Sequence, residues 1–213
     1  MIKKWLLTLS SITVLLISTQ VQVSAQQAYV EGVDYKVISP PVKTTNPDKV
    51  VVTELFWYGC PHCFRFEPYI ENWEKTKADG VVFEQLPSVI NPHWSTHARA
   101  FYAFKLMGVL DQAHKKLFDA IHVKRQRLDS IDQLAKFAAD QGLDEKAFRD
   151  SYASFAIDTQ LRKNTQVEKR YGHNGVPAVI VNGKYLLSGA MAGSNERLVK
   201  ILDFLVASEL ATH

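Results

Sequence analysis

The chain has 213 residues, 46% of them hydrophobic, and a formal net charge of +3. This composition is ordinary for a globular protein, and the length can bury one good core with room for a subdomain. The small net charge argues against nucleic acid or an anionic membrane as a partner. Only two cysteines are present, which excludes a scaffold held together by many disulfides.

The first 25 residues have the pattern of a secretory signal peptide. Two lysines near the start precede an apolar stretch diluted by serine and threonine, and the Val-Ser-Ala at 23–25 fits a small-x-small cleavage site. The apolar stretch is short for a membrane span of about 20 residues, which favours cleavage over an uncleaved anchor. Cleavage after Ala25 removes both lysines and no acid, so we expect a nearly neutral, exported protein.

The exported part begins with an arm and a strand. Residues 26–48 are polar and contain three prolines, and they predict an extended arm with a short edge strand near 35–38. Residues 50–56 are almost continuously β-branched or apolar, as expected of a central strand that is buried on both faces.

A helical pattern begins at Pro61, and a further strand over 81–86 follows it. From 94 to 171 the chain has neither a proline nor a strand pattern, which predicts a compact helical block. The helices predicted in this block cover roughly 94–107, 111–123, 130–141, 144–153 and 155–171.

Strand patterns return after the block. Asn182-Gly183 lies between apolar runs at 178–181 and 184–187, and it predicts a hairpin with a type I′ turn. A last helix is predicted from Ser194. The helical block therefore interrupts a single α/β unit. The predicted division is a signal peptide at 1–25, a first α/β part at 26–92, an inserted helical domain at 93–172 and a second α/β part at 173–213.

Both cysteines lie in one motif, Cys60-Pro61-His62-Cys63, between a predicted strand and a predicted helix. This is the layout of a redox-active dithiol. Cys60 is expected at the helix N-cap, and Pro61 at the first helical position, where its missing N–H is not needed. The free N–H groups of the first turn, the helix dipole and His62 should all lower the pKa of Cys60. Cys63, one turn further on, should be more buried.

The consequence of a stabilised Cys60 thiolate is a strongly oxidising disulfide, because whatever stabilises the reduced protein makes the disulfide easier to reduce. A ring as small as this one restricts the unfolded chain little, so stability is a poor reason for closing it. We therefore expect a disulfide that is passed to client thiols, with no metal and no organic cofactor.

Haem attachment and zinc binding are two other uses of a C-x-x-C motif. Haem attachment requires a histidine directly after the second cysteine, where Phe64 stands. Zinc binding would recruit His93 and His97, but these lie about twice the usual finger spacing beyond Cys63, with a predicted strand between them. We predict that the histidine pair forms a polar face of the first inserted helix.

Three residues near the motif have more than one interpretation. Glu54 is a carboxylate within the apolar run 50–56. A sheet-edge position in solvent would account for it, but its apolar or small neighbours favour a buried acid of raised pKa that exchanges protons with Cys63. Trp57 and Tyr58 can be core residues or can line an apolar groove for unfolded clients, and the sequence leaves both open.

Together these features resemble the DsbA family of periplasmic thiol–disulfide oxidoreductases. The resemblance rests on the signal peptide, the run from Glu54 to Cys63, the helical insertion, and the Gly-Val-Pro-Ala of 175–178 followed by Val-Asn-Gly-Lys-Tyr at 181–185. It covers essentially the whole mature chain. It implies a thioredoxin fold with an inserted helical domain, with Cys60 as the nucleophile and Cys63 as the resolving cysteine.

The resemblance also implies a client site and partners. Pro177 would be a cis-proline packed against the dithiol, and the backbone of Val176 would bind an extended client peptide. Glu54 matches the family's buried acid, but Gln85 stands where some members have a basic partner for that acid. The implied partners are reduced, unfolded exported proteins and a DsbB-like, quinone-linked membrane protein that reoxidises the dithiol.

The sequence thus predicts a periplasmic dithiol oxidase that introduces disulfides into exported proteins. A disulfide isomerase or reductase on the same fold is the nearest alternative. Those activities usually need a dimer or a dedicated electron donor, and because no separate dimerisation segment is visible we expect a monomer. A peptide-binding chaperone with an incidental dithiol is the alternative from another class.

Overall fold

The structure, a computed structural model, describes residues 29–212, so the predicted signal peptide at 1–25 lies outside the described residues. Five strands in this part of the chain form one sheet: β1 (Lys36–Val37), β2 (Val50–Phe56), β3 (Val81–Pro87), β4 (Ala178–Val181) and β5 (Tyr185–Ser188). The helices are α1 (Pro61–Thr76), α2 (Ser95–Leu106), α3 (Leu110–His122), α4 (Ile131–Asp140), α5 (Glu145–Tyr152), α6 (Phe155–Tyr171), α7 (Gly189–Ala192) and α8 (Asn195–Leu210). None of these helices combines the length and the apolar character needed to span a bilayer.

Strand β2 lies inside the sheet, whose strand order is β1-β5-β4-β2-β3. It runs parallel to β3 and antiparallel to β4, and every one of its residues is buried. Helices α1 and α8 cover one face, where Val52, Ile70 and Leu202 belong to one apolar cluster. Burial on both faces explains why the sequence of β2 is almost continuously apolar. Strand β1 pairs with β5 at the edge of the sheet, as predicted.

The helices α2 to α6 lie between β3 and β4 in the chain, which confirms that a helical block interrupts the α/β unit. Aromatic residues of this block, such as Phe104 and Phe118, form an apolar cluster that also includes Phe56 of β2 and both cysteines. The dithiol therefore lies where the sheet meets the helical block.

Three details differ from the sequence predictions. Strand β5 begins at Tyr185, because Tyr185 pairs with Val181 and this register leaves Lys184 in the turn. The short helix α7 follows β5, where the sequence predicts none. His97 does not lie on a polar face: it is buried, with its Nε2 atom 2.9 Å from the carbonyl oxygen of Leu128. That carbonyl group gives the imidazole a partner inside the protein, so the ring can be buried.

Gly183 is required in the hairpin turn for two reasons. Asn182 and Gly183 have φ angles of 50° and 64°, as a type I′ turn needs. In addition, a Cβ atom on Gly183 would lie 1.9 Å from the carbonyl oxygen of Val42. The N–H of Val42 donates to the carbonyl oxygen of Gly183 at 2.9 Å, so the arm and the hairpin are held in close contact. A side chain at position 183 would push them apart.

We expect Gly183→Ala to lower the free energy of unfolding by about 3 kcal/mol or more, because left-handed strain of about 1–2 kcal/mol adds to the collision with Val42. Gly172→Ala is a matched control: Gly172 has a φ angle of 67°, but no heavy atom of the described chain lies within 4 Å of its Cβ position. The free energy of unfolding of this control should fall only by the left-handed strain of about 1–2 kcal/mol. Urea unfolding of both variants measures the difference, and equal losses would contradict the close contact at Gly183.

Candidate active site

The dithiol lies at the junction of β2 and α1. Strand β2 ends at Phe56, a short turn follows, and Cys60 is the N-cap of α1 with an extended backbone (φ −85°, ψ 116°). The Cys60 sulfur accepts a hydrogen bond from the backbone N–H of Cys63 at 3.4 Å. Pro61 is the first helical residue, and His62 is exposed in the first turn. The motif therefore stands at the helix N-terminus, as predicted.

The turn before the motif depends on Gly59. A Cβ atom at this position would lie 2.2 Å from the indole ring of Trp57, so Trp57 can fold back over the turn only because Gly59 has no side chain. The ring of Trp57 also stacks on Trp94, with 4.8 Å between ring centroids and 9° between ring planes. Trp57 is half-buried, whereas Tyr58 is fully buried. Tyr58 is thus a core residue, which answers one of the two questions that the sequence left open.

The segment that precedes β4 forms the other side of the site. The antiparallel register pairs Leu55 with Ala178, so Val176 and Pro177 come beside the turn that leads to the dithiol. The Cys60 sulfur lies 3.4 Å from the carbonyl oxygen of Val176, to which the thiol donates when it is protonated. The Val176–Pro177 peptide bond is cis, as the resemblance implies for Pro177.

The two sulfurs have opposite electrostatic environments. A hydrogen bond from the Cys63 thiol, the backbone N–H groups of Cys63 and His62, and the charge of His62 together lower the pKa of Cys60 from 9.0 to about 6. Burial, the hydrogen bond to Cys60, and the charges of Cys60 and Glu54 raise the pKa of Cys63 well above its usual range. Cys63 has 0% of its surface exposed and Cys60 has 7%. Cys60 therefore carries the thiolate charge at neutral pH.

His62 has a partner that the motif alone does not reveal. The Nη2 atom of Arg65, which lies one turn further along α1, is 3.0 Å from Nδ1 of His62. Both side chains are exposed. Because a guanidinium group stays charged at all ordinary pH values, Arg65 adds a permanent positive charge beside the imidazole.

Glu54 is a buried acid, which is the interpretation that its apolar neighbours favour. Its exposure is 0%, and the parallel register of β2 and β3 pairs it with Gln85, whose amide N–H donates to Oε2 of Glu54 at 3.0 Å. Burial, followed by the charge of Glu67, raises the pKa of Glu54 well above 4.5. Glu54 is therefore held as a protonated acid, near enough to Cys63 to influence its pKa.

Sequence analysis missed His114, which α3 places beside Gln85. The Nε2 atom of His114 lies 3.2 Å from the amide nitrogen of Gln85 and 3.0 Å from Oε1 of Glu67. Its Nδ1 atom lies 2.7 Å from the hydroxyl oxygen of Tyr58. These side chains come from β3, α1, α3 and the turn after β2. No local pattern could link them, because only tertiary packing brings them together.

A second missed group anchors the segment that contains Val176. Glu168 of α6 is buried, accepts a hydrogen bond from the Ser88 hydroxyl at 2.7 Å, and lies 3.2 Å from Nε2 of His173. The Nδ1 atom of His173 lies 3.1 Å from the carbonyl oxygen of Gly175. One carboxylate thus connects α6 and the end of β3 to the residues that lead into Val176.

This arrangement can carry out thiol–disulfide exchange. It has an outer sulfur that forms a thiolate, a buried inner sulfur that keeps its proton, and a buried acid near the inner sulfur. Among residues 29–212, no group of three or more histidine, cysteine or acidic side chains is arranged to hold a metal ion. Fold and site together define a thiol:disulfide oxidoreductase with an inserted helical block.

Comparisons with known proteins give the family. The DSBA-like thioredoxin domain matches residues 51–202. The thiol:disulfide interchange protein DsbA of Pseudomonas aeruginosa is 40% identical over 184 residues, which cover 86% of this chain and 87% of that protein. The DsbA of Azotobacter vinelandii is 36% identical over 178 residues, which cover 84% of this chain and 83% of that protein. The chain belongs to the family of DSBA-like thioredoxin domains.

Solved structures agree with this assignment. The crystal structure of Pseudomonas aeruginosa DsbA matches with a TM-score of 0.83 and 38% sequence identity, covering 86% of this chain and 96% of that chain. DsbA from Xylella fastidiosa matches with a TM-score of 0.80 and 29% identity, covering 86% of this chain and 98% of that chain. The predicted thioredoxin fold with a helical insertion is therefore confirmed.

Replacing Glu54 with Gln removes a titrating group and keeps a hydrogen-bonding partner for Gln85. A carboxyl group whose pKa is higher in the folded than in the unfolded protein binds its proton more tightly when folded, so stability falls as the pH rises above the unfolded pKa. Because the pKa of Glu54 is raised from 4.5, the free energy of unfolding of the wild type should fall by up to about 1.4 kcal/mol for each pH unit above 4.5. Glu54→Gln should abolish this loss.

Urea unfolding between about pH 5 and pH 8 measures the two slopes. Glu31→Gln is the control, because it removes an exposed acid that is not among the charges acting on Glu54. Glu31→Gln should keep the pH slope of the wild type. Equal slopes for Glu54→Gln and the wild type would contradict a raised pKa at Glu54.

Proposed function

We propose that this protein oxidises paired thiols of unfolded, exported proteins in the periplasm by donating a Cys60–Cys63 disulfide. The observation that carries the proposal is the asymmetry of the two sulfurs: the pKa of Cys60 is lowered to about 6, whereas that of Cys63 is raised. A disulfide whose reduced form is stabilised in this way is readily reduced by client thiols. The family supports this assignment, because its members include thiol:disulfide interchange proteins.

The exchange has two steps. A client thiolate attacks the Cys60 sulfur, and the electron pair of the Cys60–Cys63 bond passes to the Cys63 sulfur, which takes up a proton. The second thiolate of the client then attacks the client sulfur in the mixed disulfide and expels Cys60 as a thiolate. Two electrons have passed from the client to the protein, so the client leaves with a disulfide and the protein is reduced.

The residues of the motif and the buried acid have separate roles in these steps. The Cys60 sulfur is attacked by the client and is the leaving group of the second step, and its low pKa makes it a good leaving group. Pro61 begins the helix whose N–H groups hold the Cys60 thiolate, and His62 adds positive charge beside it. Cys63 is the resolving cysteine, and Glu54 supplies the proton that Cys63 takes up.

Val176 and Pro177 form the client-binding edge. The carbonyl oxygen of Val176 lies 3.4 Å from the Cys60 sulfur, so a peptide bonded to this backbone would place its own cysteine against Cys60. Recognition through backbone hydrogen bonds suits clients of many sequences, because every client has the same backbone groups. Val176 is half-buried and Pro177 is buried, which keeps this edge in place between client encounters.

The reduced protein needs an electron acceptor before it can act again. We propose a DsbB-like, quinone-linked membrane protein, since disulfide exchange with such a partner requires no cofactor on this chain. The protein would act as a monomer and without nucleic acid. A signal peptide at 1–25 would direct export, and the inserted domain at 93–172 would separate the two parts of the thioredoxin-like domain, 26–92 and 173–213.

Replacing either cysteine separates oxidation from passive binding. Cys60→Ser should reduce the oxidation of a dithiol peptide by at least about 10³-fold, because the attacked sulfur is gone. Cys63→Ser should also fail to turn over, but it keeps the reactive Cys60 and should form a stable mixed disulfide with a disulfide-bonded peptide. Mass spectrometry of peptide and protein measures both outcomes.

The same variants test the alternative functions. A peptide-binding chaperone with an incidental dithiol would protect unfolded clients equally well with and without Cys60. An isomerase would rearrange a scrambled client faster than it oxidises a reduced one. Either result would contradict the assignment as an oxidase.

A further inference from the structure

A chain of polar side chains leads from Glu54 away from the dithiol. Gln85 contacts Glu54 and His114, and His114 in turn contacts Glu67 and Tyr58. All except Gln85 are buried. Thiol–disulfide exchange at the two sulfurs does not by itself require His114 or Glu67. Ionisable groups that lie this close in a low dielectric medium influence one another's protonation.

The position of Gln85 couples the protonation of Glu54 to that of His114. Turning a side-chain amide by half a turn exchanges its nitrogen and its oxygen at nearly unchanged positions. With the nitrogen facing Glu54, as in the structure, Gln85 donates to Oε2, which accepts in both the protonated and the ionised acid. With the oxygen there, Gln85 accepts from protonated Glu54 and also from the Nε2–H of His114. The amide orientation that suits Glu54 therefore depends on which groups hold protons.

His114 also has access to solvent. It lines a cleft of about 230 Å³ together with Gln85 and Glu67. The charged residues that line this cleft are Glu67, Glu71, Glu74, Lys75, Asp111 and Lys115. Several of them are exposed, so the cleft connects His114 with solvent. Acids outnumber lysines in this lining.

We propose that His114 takes up a proton when Glu54 loses one and releases a proton when Glu54 regains one, a role that rests on the proposed function. When the Cys60–Cys63 bond breaks, Glu54 gives its proton to the Cys63 sulfur and becomes a carboxylate inside the protein. His114 then takes one proton from solvent through the cleft, so the charge buried at Glu54 is balanced. When Glu54 regains a proton, His114 releases one.

His114 is a positioning residue in this scheme, because it touches neither the client nor a sulfur. Its imidazole, held on α3, reaches Glu54 through the Gln85 amide. The titratable and charged groups that face this network from the packed elements are Glu54, Tyr58, Cys63, Glu67, Glu71, Glu74, Lys75, Asp111 and Lys115.

The test is a double-mutant cycle on the full chain. The oxidised protein is mixed with a dithiol peptide, and the first exchange step is followed by tryptophan fluorescence across a range of pH, with Trp57 and Trp94 next to the site as reporters. We expect His114→Phe to slow this step by about tenfold and to change its pH profile. In the Glu54→Gln background, His114→Phe should change the rate by less than about twofold, because a residue that acts only through Glu54 has no further effect there.

Two further variants and a control keep the test decisive. Gln85→Met breaks the link while leaving Glu54 and His114 in place, and it should give the same rate loss as His114→Phe. His114→Gln keeps a polar side chain and serves if the Phe variant does not fold. His97→Phe is the matched control, because it also removes a buried imidazole of the helical block, one whose hydrogen bond goes to the Leu128 carbonyl. The His97 ring packs against Trp57 and Tyr58, and phenylalanine keeps an aromatic ring in this place. This control should keep the rate and pH profile of the wild type.

The proposal is overturned if the His114 variants match His97→Phe, if their effect adds fully to that of Glu54→Gln, or if Glu54→Gln itself reacts like the wild type. A wild-type protein that does not oxidise the dithiol peptide would instead refute the proposed function.

Discussion

The stabilised thiolate of Cys60 determines how this protein uses its dithiol. It is stabilised first by a hydrogen bond from the Cys63 thiol and then by the backbone N–H groups at the start of α1. Helix N-termini leave such donors unpaired, and a thiolate at the N-cap satisfies them while it gains from the helix dipole. Cys63 lies three residues further along the chain. There, burial and the neighbouring Cys60 thiolate raise the pKa instead of lowering it. One short helical turn thus creates two cysteines of very different acidity, and this difference makes the disulfide between them easy to reduce.

The pairing of the strands determines which residues surround that turn. Because β2 is central and buried, its carboxyl end delivers the dithiol to the junction with the helical block. The antiparallel pairing of Leu55 with Ala178 brings the Val176–Pro177 segment to the same edge, and the parallel pairing of β2 with β3 places Gln85 beside Glu54. The same strand therefore positions the reacting sulfur, the Val176–Pro177 backbone and the buried acid, so a shift in its register would disturb all three together.

Much of this arrangement could be predicted from the sequence, and the exceptions share a physical cause. The apolar run at 50–56 and the Asn-Gly hairpin are local patterns, and the structure follows both of them. The placement of Cys60 at the N-cap also follows from local sequence, since proline at the next position suits the first helical turn. By contrast, His114 looks like any surface residue of an amphipathic helix until α3 packs against β3, and the buried state of His97 depends on a carbonyl group more than thirty residues away. Contacts between distant segments leave no periodic signal in the chain.

The acidity of Cys60 in the reduced protein tests the central claim most directly. The ultraviolet absorbance of the thiolate, recorded against pH in the wild type and in Cys60→Ser, isolates the titration of this one sulfur. A midpoint near pH 6 is expected. A midpoint near 9, the value for a cysteine without these donors, would contradict the claim that the Cys63 thiol and the helix N-terminus together make this dithiol an oxidant.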